Sequence, residues 1–229
     1  MTTVLNGLDP SRSGCDHGAV IPSTRSRRTP ADRHDDRRQE LAESALLTLG
    51  ELGYARTSLR DIAGNSPFSH GVLHYYFADK LELVLYSITH YKQVCARRYD
   101  GVVASATTEA ELLDGFAEKL VETISTEAPM HRLWYDLRVQ SMFDARLRET
   151  VLTIDGWLRD MCWRIVTRYS ELADREIAMD PESTYAVLDG LFQSALLGHV
   201  TGDEQALPRL VAQVHGLLPM TLGPLPRGV

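Results

Sequence analysis

An all-α fold is what this sequence predicts, and three observations predict it. Apolar residues recur at three- and four-residue spacing in segment after segment from residue 36 to 218. The strict apolar–polar alternation of a half-buried strand is missing. Helix-opening signatures recur as well: Ser58 with Asp61, Asp79 with Glu82, and Asp180 followed by Pro181. With 229 residues the chain suits one large or two small domains, and 44% hydrophobic with 24% charged residues is ordinary for a globular protein.

Residues 1–30 carry Gly, Ser, Thr and Pro without hydrophobic period, so a disordered arm is expected. Its basic end, Arg25, Arg27, Arg28, Arg33, Arg37 and Arg38, either tracks nucleic-acid phosphate or is a solvated tail. From Asp36 to Leu52, the residues Leu41, Ala45, Leu46, Leu49 and Leu52 give the first helix, which Gly53 stops. Tyr54 and Leu59 are expected to pack on it. Ser58 opens a short second helix whose inner contacts are Ile62 and Ala63, and Ser66-Pro67 breaks it. Ser69 caps a third helix with Val72, Leu73, Tyr76 and Phe77 inside and His70, Gly71, His74 and Tyr75 outside.

A long fourth helix starts near Lys80 and runs through Leu81, Val84, Leu85, Ile88, Tyr91, Val94 and Cys95. It links the first part of the chain to the second. A break is expected over 101–108, then a helix over 109–126 that Pro129 interrupts. His131, Trp134, Tyr135, Arg138 and Met142 follow on one broad face. Further helices are expected from Asp144 to about Tyr169, from Asp180-Pro181 to about Gly198, and from about Glu204 to Leu218. Pro219, Pro224 and Pro226 end regular structure. The expected division is an arm at 1–30, a helix-turn-helix domain at 31–80, a second helical domain at 81–220 and a tail at 221–229.

Two short helices joined by a tight turn can place one helix in the DNA major groove while the other braces it. The run Thr57, Ile62-Ala63, Ser69, Gly71, Leu73, Tyr75, Phe77, Lys80 and Leu83 resembles the DNA-binding domain of the TetR family of transcriptional regulators, over about residues 36 to 86. Pro67 stands where that family usually has glycine and His74 where it usually has tyrosine, so turn and base readout are expected to differ. The alternative is a helical hairpin that binds no DNA. Candidate DNA contacts are Thr57, Ser58, Arg60, Ser69, His70, Gly71, Val72, His74, Tyr75, Tyr76 and Lys80. No Lys or Arg lies between Ser69 and Phe77, so the commonest guanine reader is missing from the reading helix. Arg60 is expected at a guanine edge or a phosphate, and Lys80 at a phosphate beside orphan backbone N–H groups. His70 and His74 share one face; imidazoles there predict tighter DNA binding at mildly acid pH, unless His74 packs inside and His70 merely faces water.

The net charge of −7 fits this organisation. Residues 1–80 hold ten Lys/Arg and ten Asp/Glu, so all the acidic excess lies beyond them and turns the head, not the body, towards phosphate; solubility alone is the plainer explanation. Cys15, Cys95 and Cys162 form no ligand spacing and fit a reducing cytoplasm. No signal peptide or membrane-spanning run is expected. Phosphate-binding glycine loops, nucleophile elbows and metal-ligand spacings are missing, so no catalytic residue, metal or cofactor is assigned.

The resemblance implies more. It implies a ligand cavity within the C-terminal helices, for which the candidates are Trp134, Tyr135, Arg138, Met142, Phe143, Trp157, Met161, Phe192 and His199. A drug-sized organic effector suits such a cavity. Arg138, if buried, needs an anionic partner, either a ligand carboxylate or an internal Asp or Glu. It also implies that the last two helices form a four-helix homodimer interface, here through Leu188, Gly190, Leu191, Ser194, Ala195, Gly198, Leu210 and Val214; the alternative is packing inside the monomer. The implied function is a homodimeric repressor, released from a palindromic operator on double-stranded DNA by a small molecule. A helical-bundle carrier or enzyme, and a regulator without ligand, are the competing readings.

Overall fold

The computed structural model describes residues 29–224. Those residues form nine α-helices and no strand. Helix α1 is Pro30–Leu52, α2 Leu59–Gly64, α3 His70–Tyr76, α4 Lys80–Cys95 and α5 Asp100–Ser105. Then come α6 Glu109–Gln140, α7 Ala145–Ala173, α8 Pro181–Val200 and α9 Ala206–Leu217, with a closing 3-10 turn, Leu218–Thr221.

Local chemistry sets most boundaries. Thr29 and Asp32 make a reciprocal capping box and Pro30 pre-sets the first turn, so α1 begins six residues before the expected start at Asp36. Arg33, Arg37 and Arg38 therefore belong to α1 rather than to an arm. Arg38 pairs with Glu82 at 2.7 Å and stacks on Phe77 and Tyr86, while Arg37 lies over Phe68. The arm itself, with Arg25, Arg27, Arg28 and Cys15, lies outside the described residues. Ser58 and Asp61 box the start of α2, Ser69 caps α3, Asp79 caps α4 and Asp180 caps α8. Pro67 is accommodated without positive φ: Asn65 has φ −100°, and Ser66 Oγ accepts from the Phe68 N–H.

Two expectations on the body need correction. The 101–108 break contains a turn and a half of helix, α5. The interruption expected at Pro129 is present: α6 is two helical stretches joined at a kink, with Glu127 at φ −129°, ψ 22°, because proline removes one ladder bond and crowds the turn before it. The first residues of the tail expected from residue 221 are docked: Leu222 bridges to Ile177, and both Thr221 and Leu222 are buried. Val94, one of the apolar residues of α4, is 57% exposed.

Two apolar cores result. One joins Leu41, Leu49, Ile62, Leu73, Phe77 and Leu83 of the head to Leu133, Trp134, Leu137, Leu147 and Ile154 of α6 and α7. The other is built from α5–α9 around Phe116, Ile124, Ile165, Leu210 and Val214. The boundary expected at residue 80 thus falls at the start of α4, within a continuous core.

Candidate nucleic-acid interface and polar cavity

The exposed face of α3 carries Gly71, His74 and Tyr75, with His70 half-buried at its start. The His70 and His74 rings meet edge-on at 4.4 Å, and Tyr75 is 76% exposed beside Tyr76. Val72 and Tyr76 lean back on the core, which leaves them only part of their surface for a partner. Ser58 and Ser69 are exposed caps whose oxygens already accept backbone N–H groups. Arg60 is exposed on α2 and, among the described residues, forms no ion pair or hydrogen bond.

Two candidates do other work. Thr57 is buried, and its hydroxyl donates to the Gly53 carbonyl at 2.7 Å. The Lys80 ammonium donates to the Tyr54 and Thr57 carbonyls, both at 2.9 Å, and lies 4.3 Å from the Tyr54 ring centre. Lys80 therefore ties the α1–α2 loop to α4 rather than standing free for phosphate. Burial lowers its pKa, because taking the ammonium out of water disfavours its charged form.

In the body, α4, α6, α7 and α8 enclose a cavity of about 60 Å³. Of the candidates named from the sequence, Trp134, Tyr135, Met161 and Phe192 line it. Met142 and Phe143 do not: they sit on the turn after α6, 69% and 82% exposed, because α6 ends at Gln140. Trp157 faces an outer groove between α4 and α7, and His199 lies on α8 away from the wall. Arg138 stands outside the lining residues, bonded to Asp155 at 3.1 Å and to Asp189, so its anionic partners are internal. Tyr135 and Tyr185 donate to the remaining oxygens of Asp189 and Asp155 at 2.8 and 2.6 Å. Leu188, expected at a dimer interface, is also part of the wall.

A second polar group sits where α4 meets the kink of α6. Arg98 Nη2 donates to both oxygens of Glu127, at 2.7 and 2.8 Å, and Nη1 donates to Thr123. Tyr91 donates to Glu127 and lies 3.1 Å from His131 Nε2. Lys92 Nζ lies 3.3 Å from His131 Nδ1 and 5.2 Å from the Trp134 ring centre. One proton arrangement satisfies this chain: Lys92 donates to Nδ1, Nε2–H donates to Tyr91, and Tyr91 donates to Glu127. Burial, then the charges of Lys92 and Arg98, hold His131 well below its ordinary pKa, so it stays neutral. Burial likewise pushes the Cys162 thiol up to about 12 and leaves it protonated.

Cys95, Glu127 and His131 place ligand atoms within 4.8 Å of one another. The set fits a metal ion poorly. Glu127 is taken by Arg98 and Tyr91, both imidazole nitrogens are engaged, and two cations flank the site. Sequence reasoning missed Lys92, Cys95 and Arg98. The available signal was Lys92 itself, a lysine four residues after Ile88 on the buried stripe of α4.

On the outer side, the expected interface residues divide. Leu188, Ala195, Leu210 and Val214 are buried within the monomer, and a Cβ at Gly198 would meet Ala206 Cβ at 2.7 Å. Gly190 and Ser194 are exposed, Leu191 is half-buried, and Val187, Leu197 and Val200 extend the same surface of α8, 39%, 64% and 39% exposed.

Residues 41–86 match the model of the tetR family of bacterial regulatory proteins. The chain is 26% identical over 192 residues to the HTH-type transcriptional regulator PksA of Bacillus subtilis, covering 79% of this chain and 88% of that protein. Among solved structures it resembles a putative transcriptional regulator of Saccharomonospora viridis in complex with choline (TM-score 0.67, 15% identity, 82% of this chain and 98% of that one). It also resembles the regulator FadR of Bacillus subtilis in complex with stearoyl-CoA (TM-score 0.61, 18% identity, 81% and 98%).

Proposed function

This chain carries the DNA-binding head of a tetR-family transcriptional regulator, and from that premise we propose a homodimeric repressor whose body releases a palindromic operator when a small molecule occupies the cavity. The observation that carries the reading is that the same two helices wall the cavity and hold the head. Helix α4 contributes Leu83 and Val84 to the head core and Lys92 and Cys95 to the cavity wall. Helix α6 contributes His131 and Trp134 to the wall; between and beside them Arg132 donates to the Gly50 carbonyl at 2.9 Å and Asp136 accepts the Tyr54 N–H at 2.8 Å.

At about 60 Å³ the cavity is far below the ~300–1,000 Å³ of sites for drug-sized ligands. An effector of that size has to part α4 and α6. Its differential affinity for the parted arrangement is what shifts the spacing of the two heads. The exposed stripe of α8, Val187, Gly190, Ser194 and Leu197, suits the interface of a two-fold dimer matching two half-sites. The two regulators seen with choline and with stearoyl-CoA bind chemically different molecules in the same overall fold, which supports an effector role but names no ligand here. None of the helices among the described residues is long and apolar enough to cross a membrane, and a DNA partner suits the cytoplasm. Selection of genomic fragments by the purified protein tests the reading: enrichment of one palindromic sequence supports it, and indifferent retention of all fragments contradicts it.

A further inference from the structure

Lys92 is a group of the cavity that the fold does not explain. It is 2% exposed, lines the cavity, and lies against the faces of Trp134 and Tyr91. Among the described residues no carboxylate lies within 4 Å of its ammonium, and its only hydrogen-bond partner is a neutral imidazole. An ammonium has three donors, so two are unused. A buried charge without a partner is costly, and a protein keeps one only where something else answers it.

The nearby carboxylates are already committed. Glu127 is held by Arg98 and Tyr91, and Asp189 by Arg138 and Tyr135. Arg138 holds two carboxylates, so Lys92 balances the wall's net charge at a distance, yet no oxygen of either carboxylate reaches it. A second donor on the wall is also orphaned: the Trp134 indole N–H is buried without an acceptor. The remaining wall is apolar, with Phe116, Leu120 and Met161.

Resting on the effector-cavity reading, we propose that the occupant is an organic monocarboxylate, its two oxygens on the free donors of Lys92 and its hydrocarbon part against Trp134, Phe192 and Phe116. Two free donors on one ammonium match the two acceptor oxygens of one carboxylate. A phosphate, with about two charges and three acceptor oxygens, would need a second free cation, and Arg98 is already engaged by Glu127.

Matched probes test this on the full chain: phenylacetate against phenylacetamide, and octanoate against octanamide, by calorimetric titration and thermal denaturation at neutral pH. The expected result is that an acid binds and raises the melting midpoint while its amide binds at least tenfold more weakly. Lys92→Met should weaken the acid at least tenfold and leave the amide unchanged. Amides that bind as well as acids, acid binding that survives Lys92→Met, or no binding of either acid overturns the proposal. Release of the selected DNA fragment separates the two readings. If an amide releases it, the effector-responsive regulator stands and the carboxylate falls; if an acid binds through Lys92 without changing DNA affinity, the carboxylate site stands and the effector role falls.

Discussion

Replacing Lys92 with methionine should make the protein more stable. Burial moves the Lys92 pKa from 10.5 down to about 8. At 1.36 kcal/mol per tenfold change in proton affinity, the charged side chain costs the fold about 3 kcal/mol at neutral pH. Methionine keeps the unbranched reach and the contact with Trp134 while removing the charge. The substitution also removes the bond to His131, and an unsatisfied Nδ1 costs about 1–2 kcal/mol. The expected net gain is about 1–2 kcal/mol at pH 7. The pH dependence carries its own sign. Because the folded pKa is depressed, the folded state binds fewer protons than the unfolded state between about pH 8 and 10.5, so the wild type gains stability as pH rises through that window. The gap between variant and wild type should therefore be full below pH 8 and close towards pH 10.5. Cys95, Tyr91, His131, Arg98, Glu127 and Asp189 face the same region and are present in both chains, so the difference isolates Lys92. Urea denaturation of both proteins at one protein concentration, from pH 7 to 10.5, measures it. A variant less stable than wild type at pH 7, or a gap constant over the window, refutes the unpaired-ammonium account.

Other outcomes follow from the same contacts. Lys80→Met should lower stability by about 1–2 kcal/mol through loss of two carbonyl contacts, with the salt dependence of DNA binding unaltered, whereas Arg60→Ala should reduce the salt slope or relax base preference; anisotropy titrations at two salt concentrations separate them. Leu197→Glu should yield monomer and weaken operator binding, as light scattering and gel retardation would show. A large residue at Gly198 should instead destabilise the monomer, since its neighbour is Ala206 of the same chain. Trp134→Ala should cost about 3–5 kcal/mol because the ring is 1% exposed in the core shared with the head, so Phe192→Ala is the cleaner probe of effector response in an inducer titration.

The head was legible in the sequence because its information is local. Ser58 with Asp61, Ser69 and Asp79 each mark a helix start by a side chain acting on backbone three residues away. The early start of α1 was missed because its cap, Thr29 with Asp32, precedes a polar stretch without apolar period. The cavity was legible only in part. Trp134, Tyr135, Met161 and Phe192 reach it, but Met142 and Phe143 share their helical spacing only until α6 ends at Gln140. The polar network joins residues 91–98 to residues 123–131, a pairing that no local pattern encodes. The place of Gly198 was hidden for a related reason. Gly190, Ser194 and Gly198 lie in one row, but α9 packs on the end of that row within the same chain and claims Gly198.

Titration of the selected duplex with purified protein, alongside a scrambled duplex of equal length, tests the central claim most directly. The account predicts two protomers per palindromic site, an affinity at least a thousandfold above that for the scrambled sequence at moderate salt (roughly the lower end for specific DNA binders), and loss of that preference when one half-site is altered. Equal affinity for both duplexes, or one protomer bound to an intact palindrome, would contradict it.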